Sequence, residues 1–271
     1  SSSGTYYQYV NAGKVQNQGI ELQLYANVLQ SGDFSWDTRI NWARNRNEVL
    51  ELTGNLETYQ LGSFQGGVTV EATIGESYGS IKGTDFVYHD EERIVINHPS
   101  ASRGGMVYGK TASTQTIGNI MPDWTGGWTN TFSYKNLTAS ALIDVQWGGD
   151  FFSLDTWYGY GTGIYADQAG TNADGIEARA SIDDGGGLPI GGVVASTNAD
   201  GSYELDADGN YTSDGTANTV YGFVGDYNNY AGWKNAPNAM HVYDATYIKL
   251  RQLSISYSLP SSMFSGKGFQ G

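Results

Sequence analysis

Apolar residues fall on every second position between 137 and 147: Leu137, Ala139, Ala141, Ile143, Val145 and Trp147. Between them stand Thr138, Ser140, Leu142, Asp144 and Gln146. A Lys135-Asn136 pair precedes this run. Before the pair, Trp128, Phe132 and Tyr134 share one parity, with Asn130 the exception, and Thr129, Thr131 and Ser133 take the other. Period-two alternation on both sides of a two-residue turn predicts a β-hairpin across 122–149 with one apolar and one wet face. About ten tilted residues are also enough for a strand to cross a bilayer. The apolar face therefore has two candidate partners, a protein core or lipid.

Other segments carry the same pattern. In 20–28, Ile20, Leu22, Leu24, Ala26 and Val28 alternate with Glu21, Gln23, Tyr25 and Asn27, and a turn is expected over 30–33. In 34–46, Phe34, Trp36, Ile40 and Trp42 alternate with Ser35, Asp37, Arg39 and Asn41. Residues 68–96 carry two or more strands of undetermined register. In 247–259, Leu253, Ile255, Tyr257 and Leu259 lie on one parity and Ile248 and Leu250 on the other, so a bulge or strand exit is expected near Arg251-Gln252. No segment holds a 3.6-residue stripe, and glycine recurs too often for long helices. The expected fold is all-β.

The expected connections are asymmetric. Short turns lie at 30–33, at 135–136 and after Pro260, and long connections at 47–67 and 150–243. The longer one has Asp-Gly pairs at 174–175, 184–185, 200–201, 208–209 and 214–215, which favour hairpin turns. A connection of that length is expected to be a folded, functional excursion. Phe34, Trp36, Tyr134 and Tyr257 fall near the short turns, and Trp147, Phe151 and Phe152 at the opposite end. Two aromatic levels around an aliphatic zone, with short turns on one side and long loops on the other, suit a membrane β-barrel. A large soluble β-sandwich with an aromatic core is the alternative.

Composition narrows the function. Of 271 residues, 28 are acidic and 14 basic, so no basic surface is available to neutralise phosphates and a nucleic-acid partner is disfavoured. Residues 150–243 hold 13 acidic side chains against Arg179 and Lys234, a net of −11 within the chain's −14. Cysteine is absent, which rules out disulfides and thiolate chemistry. No apolar run is long enough for a transmembrane helix, which leaves a barrel open. The first ten residues lack the charged and apolar regions of a signal peptide, and both ends read as cut, so the chain is expected to be a fragment of a longer protein.

Catalytic signatures are missing. His89, His98 and His241 have no metal-ligand spacing, and no nucleophile elbow, HExxH or phosphate loop is present. The chain is read as a non-enzyme without a cofactor. Asp206, Asp208 and Asn210 stand at alternate positions as in a calcium loop, but the sixth-place glycine and twelfth-place glutamate are missing, so a hairpin with an Asp-Gly turn is favoured. The better binding candidates are aromatics expected to be exposed in the long connection: Trp157, Tyr158, Tyr160, Tyr165, Tyr227, Tyr230 and Trp233. Aromatic faces stack on sugar rings while Asp and Asn bond the hydroxyls. Packing of the connection's own small core, or of an interface with another protein, is the plainer role for these rings.

Four phrases, in order, resemble the C-terminal barrel of SusC/RagA-type TonB-dependent transporters: NAGKVQNQGIELQL (11–24), FSWDTRINWARNRNEVLEL (34–52), TIGNIMPDWTGGWTNTFSYKNLTASALIDVQWGG (116–149) and DATYIKLRQLSISYSLP (244–260). The resemblance leaves chiefly 150–243 uncovered. It implies part of a large antiparallel outer-membrane barrel of roughly 22 strands, with long extracellular loops and an N-terminal plug. It also implies the outer membrane of a Gram-negative, Bacteroidetes-type bacterium, a SusD-like surface lipoprotein as partner, and TonB-powered uptake of an oligosaccharide or a peptide. The plug and the final strands are expected to lie outside this chain. On such a barrel Arg39, Asn41, Asp144 and Gln146 would face the lumen and the apolar parity would face lipid. Oligosaccharide import is the leading reading. A peptide importer of the same type and a non-transporting carbohydrate-binding sandwich are the alternatives.

Overall fold

The computed structural model describes residues 13–100 and 102–260. The expectations for the first ten residues, for the turn after Pro260 and for the C-terminal end lie outside the described residues.

Five strands form one antiparallel sheet, the wall: β1 (Gly13–Ser31), β2 (Phe34–Leu52), β3 (Trp124–Tyr134), β4 (Leu137–Trp147) and β5 (Tyr247–Tyr257). They pair in chain order, an up-and-down meander. The turns after β1 and β3 have two residues each, Gly32-Asp33 and Lys135-Asn136. Gly32 and Lys135 hold φ of 56° and 51°, the left-handed backbone that lets a tight turn follow the strand twist. The first turn is shorter than the 30–33 expected, because Gln30 and Ser31 still pair, with Ser35 and Phe34.

Register stacks the apolar positions in rows across the wall. One row runs Leu24, Ile40, Trp128, Ile143, Leu250. Another runs Leu29, Trp36, Phe132, Ala139, Ile255. Two bulges keep these rows intact. Val28 is the extra residue in β1, and it carries Leu29 to the position opposite Trp36. Arg251 is the extra residue in β5, so Ile248 and Leu250 share a face with Leu253 and Ile255 despite their opposite parity in sequence. The parity switch near Arg251 is therefore a bulge.

Among the described residues nothing packs on that face. Ile20, Leu24, Leu250 and Ile255 are 61%, 59%, 59% and 72% exposed, whereas a sandwich would bury them under a second sheet. One row departs from apolar chemistry: Ala26, Thr38, Asn130, Ala141, Leu253. Its two polar side chains take up the indole N–H groups on either side. Trp36 Nε1 donates to Asn130 Oδ1 at 3.0 Å, and Trp128 Nε1 donates to the Thr38 hydroxyl at 2.8 Å. A donor facing hydrocarbon has no water to turn to, so an acceptor in the same face is what permits a central tryptophan.

The opposite face is polar. Tyr25 and Asn27 donate to Asp37 at 2.8 and 3.0 Å, and Asp144 accepts from Arg251 at 2.8 Å and Tyr247 at 3.2 Å. Beyond Ala43 the β1–β2 hairpin continues to Gly13 and Leu52, leaving the other three strands behind. Residues 47–52, expected to be connection, are thus strand. Their sequence, NEVLEL, lacks alternation because this part of the hairpin meets no hydrocarbon: Val49 is buried against the Gly75-Glu76 turn and its neighbours reach water.

The buried core lies off the wall. Among the described buried apolar residues only Val49 belongs to a wall strand, and there Gly75 and Glu76 bond its backbone. Residues 53–123 and 148–246 build a cap layer around Ile94, Val95, Met106 and Val107. It includes a four-stranded sheet of Thr58–Ser63, Thr69–Thr73, Ser80–Gly83 and Gln115–Asn119. Within 68–96 there are four strands: Thr69–Thr73, Ser80–Gly83, Tyr88–His89 and Glu92–Asn97.

Three substitutions test this facing in the full-length protein folded into bilayers. Ile143→Lys is expected to lower stability by about 2–4 kcal/mol, while Gln146→Lys on the polar face changes it little. Equal effects in urea titrations would contradict the facing. Thr38→Val strands the Trp128 indole donor and is expected to cost about 1–2 kcal/mol by the same measurement.

Candidate functional site

The long connection leaves the wall as a zipped stalk. Asp150–Phe152 pairs antiparallel with Val242–Asp244, and Gly148 N–H donates to the Thr246 hydroxyl at 2.8 Å. This brings the two ends of the connection side by side. A nine-residue helix, α1 (Leu154–Thr162), starts directly above one arm, and a 3₁₀ turn, Asn238–His241, ends above the other. The sequence reading missed α1, since LDTWYGYGT has no apolar stripe. Its termini carry the available signal. The Ser153 hydroxyl accepts from Thr156 N–H, Asp155 lies in the first turn, and Gly163 closes the helix at φ 68°.

Glycines on α1 admit the rings around it. A methyl group at Gly161 would collide with the Trp233 ring, and one at Gly159 with the Tyr165 ring. Trp233 is the hub of one cluster. Its ring centroid lies 5.7 Å from Trp157, 5.5 Å from Tyr158 and 6.0 Å from Tyr227, with the Tyr227 ring stacked. Tyr227 and Tyr158 are 53% and 38% exposed, and the Tyr158 hydroxyl donates to Gln65, a partner that nothing in the sequence signalled.

The other candidates divide. Trp157 was expected to be exposed but is only 8% so, because Gly66 and the Trp233 and Tyr158 rings cover it. Tyr230 is also a core residue. It packs edge-on against Tyr108 at 6.1 Å, and burial pushes its phenol up to about 12. Tyr160 and Tyr165 pack at 4.8 Å on the side of α1 that meets His241. Burial and the hydrogen bond to Asp167 raise the Tyr160 phenol well above its ordinary value. Of the seven rings proposed from sequence, Tyr158, Tyr227 and Trp233 thus form an accessible aromatic platform, with Trp157 beneath it.

Other expected features also resolve. Residues 205–211 form the hairpin favoured from sequence, with a Leu205–Tyr211 bridge and Asp206 Oδ1 accepting from Asp208 and Asn210 N–H. The aromatic levels are present as a Trp124–Trp147 stack at one end and Phe34 opposite Tyr134 at the other. Phe152 instead turns into the cap layer against Phe64 and His241. A cavity of 490 Å³ lies where the hairpin top meets the cap, lined by Gln16, Gln18, Asn45, Asn47, Glu48 and Glu76 among others.

His241 is fully buried against Tyr160 and Phe152. Burial pulls its imidazole from 6.5 down to about 4. As pH falls, the unfolded segment takes up the proton first. The contribution is complete above about pH 6.5 and is lost on the way down to 4, about 3 kcal/mol in total. Hydrogen exchange of 153–162 in the full-length protein, corrected for intrinsic rates, is expected to show protection falling between pH 7 and 4.5. His241→Phe should flatten that dependence.

No family model matches the chain. Along 99% of its length the chain is 24% identical to TonB-dependent receptor P3 of Formosa agariphila. Over 54% and 52% of its length it is 24% and 26% identical to TonB-dependent receptors P26 and P39 of the same organism. It spans about a quarter of the length of the first relative, 24%, and less of the other two, 16% and 18%. Among solved structures it is similar to the RagAB peptide importer. In the closed-closed state the TM-score is 0.56 at 18% identity, covering 98% of this chain and 25% of that one. In the open-open state the TM-score is 0.55, with the same identity and coverage. The open apolar wall, the relatives and the shared fold agree: over nearly its whole length the chain is similar to a segment of a TonB-dependent receptor, and its fold is that of the RagAB barrel.

Proposed function

We propose that the chain forms part of an outer-membrane importer of a Gram-negative bacterium, with the cap layer extracellular and 150–243 as its long loop. The importer takes up a bulky polar nutrient, an oligosaccharide, captured together with a SusD-like lipoprotein and drawn through the barrel by TonB acting on a plug outside this chain. The observation that carries the solute class is the Trp233 platform. Stacked Tyr227 and Trp233, with Tyr158 edge-on, present aromatic surface beside an amide, Gln65, on an acidic loop. Flat aromatic surface with hydrogen-bonding groups at its edge suits a pyranose ring. The wall's polar face, with Arg39, Asn41, Asp144 and Gln146, lines the solute path beneath. No enzymatic step is involved, and the relatives are receptors and transporters.

A second reading is favoured by one observation: both solved structures named above are of a peptide importer. Deleting the parent gene and growing the strain on defined glycans or defined peptides separates the two. Loss of growth on glycans alone supports the oligosaccharide reading, and loss on peptides alone overturns it. In the restored strain, Trp233→Ala is expected to lower uptake at limiting solute by about tenfold while leaving the receptor in the membrane.

A further inference from the structure

A second cleft, remote in sequence from the Trp233 platform, opens between the strand pair Tyr88–His89 and Glu92–Asn97 and the hairpin 205–211. Its volume is 510 Å³, within the range of small-molecule sites. Ile94 and Phe86, 1% and 6% exposed, contribute an apolar floor. Tyr88, 48% exposed, and Tyr211 stand over it. Asp206 and Asn210 lie at the rim. No residue lining this cleft belongs to the Trp233 cluster.

The polar groups at the rim form one short network. Asp206 Oδ1 accepts from the backbone of Asp208 and Asn210, each at 2.9 Å, and the Asn210 side chain also bonds the carboxylate. Asn210 Oδ1 accepts from Ala112 N–H at 2.9 Å. Neither the Tyr88 nor the Tyr211 hydroxyl bonds a described residue. The backbone N–H groups on Asp206 hold its carboxyl below the usual range, so it is an ionised acceptor at neutral pH.

The cleft thus combines aromatic faces, an exposed ionised carboxylate with an amide paired to it, and two phenols with no partner among the described residues. An acceptor and a donor four residues apart on one turn suit adjacent hydroxyls of a ring, one donating to the carboxylate and the other accepting from the amide. The rings suit its C–H face. The surrounding charge bears on the sugar class. Asp206 lines the cleft and Glu204, Asp208 and Asp214 stand close by in sequence, against Arg93, whose guanidinium lies 4.0 Å over the Phe86 ring, so acidic groups outnumber basic ones and a sulfated or uronic sugar is disfavoured.

We propose that this cleft is a second sugar-binding site, for neutral hexose units, that holds an oligosaccharide on the cap layer independently of the Trp233 platform. The ligand class rests on the oligosaccharide reading above, while the location does not. The test is calorimetric titration of the full-length receptor in detergent with cellohexaose, maltohexaose, a uronate hexasaccharide and hexa-alanine. Binding of at least one neutral hexasaccharide is expected. Tyr88→Ala and Tyr211→Phe should each weaken it about tenfold or more, with Trp233→Ala leaving a cleft-dependent component. Tyr211→Phe keeps the ring and the packing against Tyr203, so a loss there is not a folding defect. Neutral binding that is lost in Trp233→Ala and unchanged in both tyrosine variants overturns the cleft and leaves the importer reading standing. Preference for the uronate overturns the charge argument. Binding of hexa-alanine alone overturns both readings.

Discussion

A strand with hydrocarbon on one side and water on the other must hold its period-two register along its whole length, and the rest of this molecule is arranged around that requirement. One slip would carry every apolar side chain to the wet face. The bulges at Val28 and Arg251 absorb an extra residue in β1 and β5 without such a slip, so Leu29 and Leu250 stay in the apolar rows. Arg251, displaced from the ladder, reaches Asp144 on the polar face. The same requirement governs two tryptophans of the apolar face. Trp36 and Trp128 bring N–H donors into the apolar face, and Asn130 and Thr38 supply the acceptors from the row between them.

Because the wall's faces are given to lipid and to the lumen, the wall cannot supply a core. The cap layer supplies its own. Its buried apolar residues, from Val68 to Ala236, lie outside the wall strands, and Val49 at the top of β2 is where the two meet. The stalk of 150–152 against 242–244 then fixes both ends of the long connection, which sets α1 and its rings at a defined place above the wall. Wall and cap layer are separate parts joined by backbone and side-chain hydrogen bonds, such as those of Val49 with Gly75 and Glu76 and of Tyr78 N–H with Asn47.

This division explains how much the sequence disclosed. Alternation in 20–28, 34–46 and 137–147 located the wall because each of those strands separates two solvents. The extensions at 13–19 and 47–52 were not legible, since neither separates two solvents, and the burial of Val49 depends on the Gly75-Glu76 turn. Asp-Gly pairs located turns, which depend on local backbone geometry; Gly175, Gly185, Gly201, Gly209 and Gly215 all hold positive φ. The rings could be recognised as candidates but not sorted. Burial of Trp157 depends on Gly66, and that of Tyr230 on Tyr108, contacts separated by about a hundred residues that no local pattern records. Helix α1 is held by its caps and by the rings around it, so hydrophobic periodicity missed it.

The facing of the wall decides the whole account, and spin labels read it directly. Single labels at Ile143 and Asp144 in the full-length receptor, reconstituted in bilayers, report collisions with oxygen, which partitions into lipid, and with a water-soluble nickel chelate. The account predicts oxygen access with nickel exclusion at 143 and nickel access at 144. Equal nickel access at both positions, or the reverse order, would contradict a lipid-facing apolar wall.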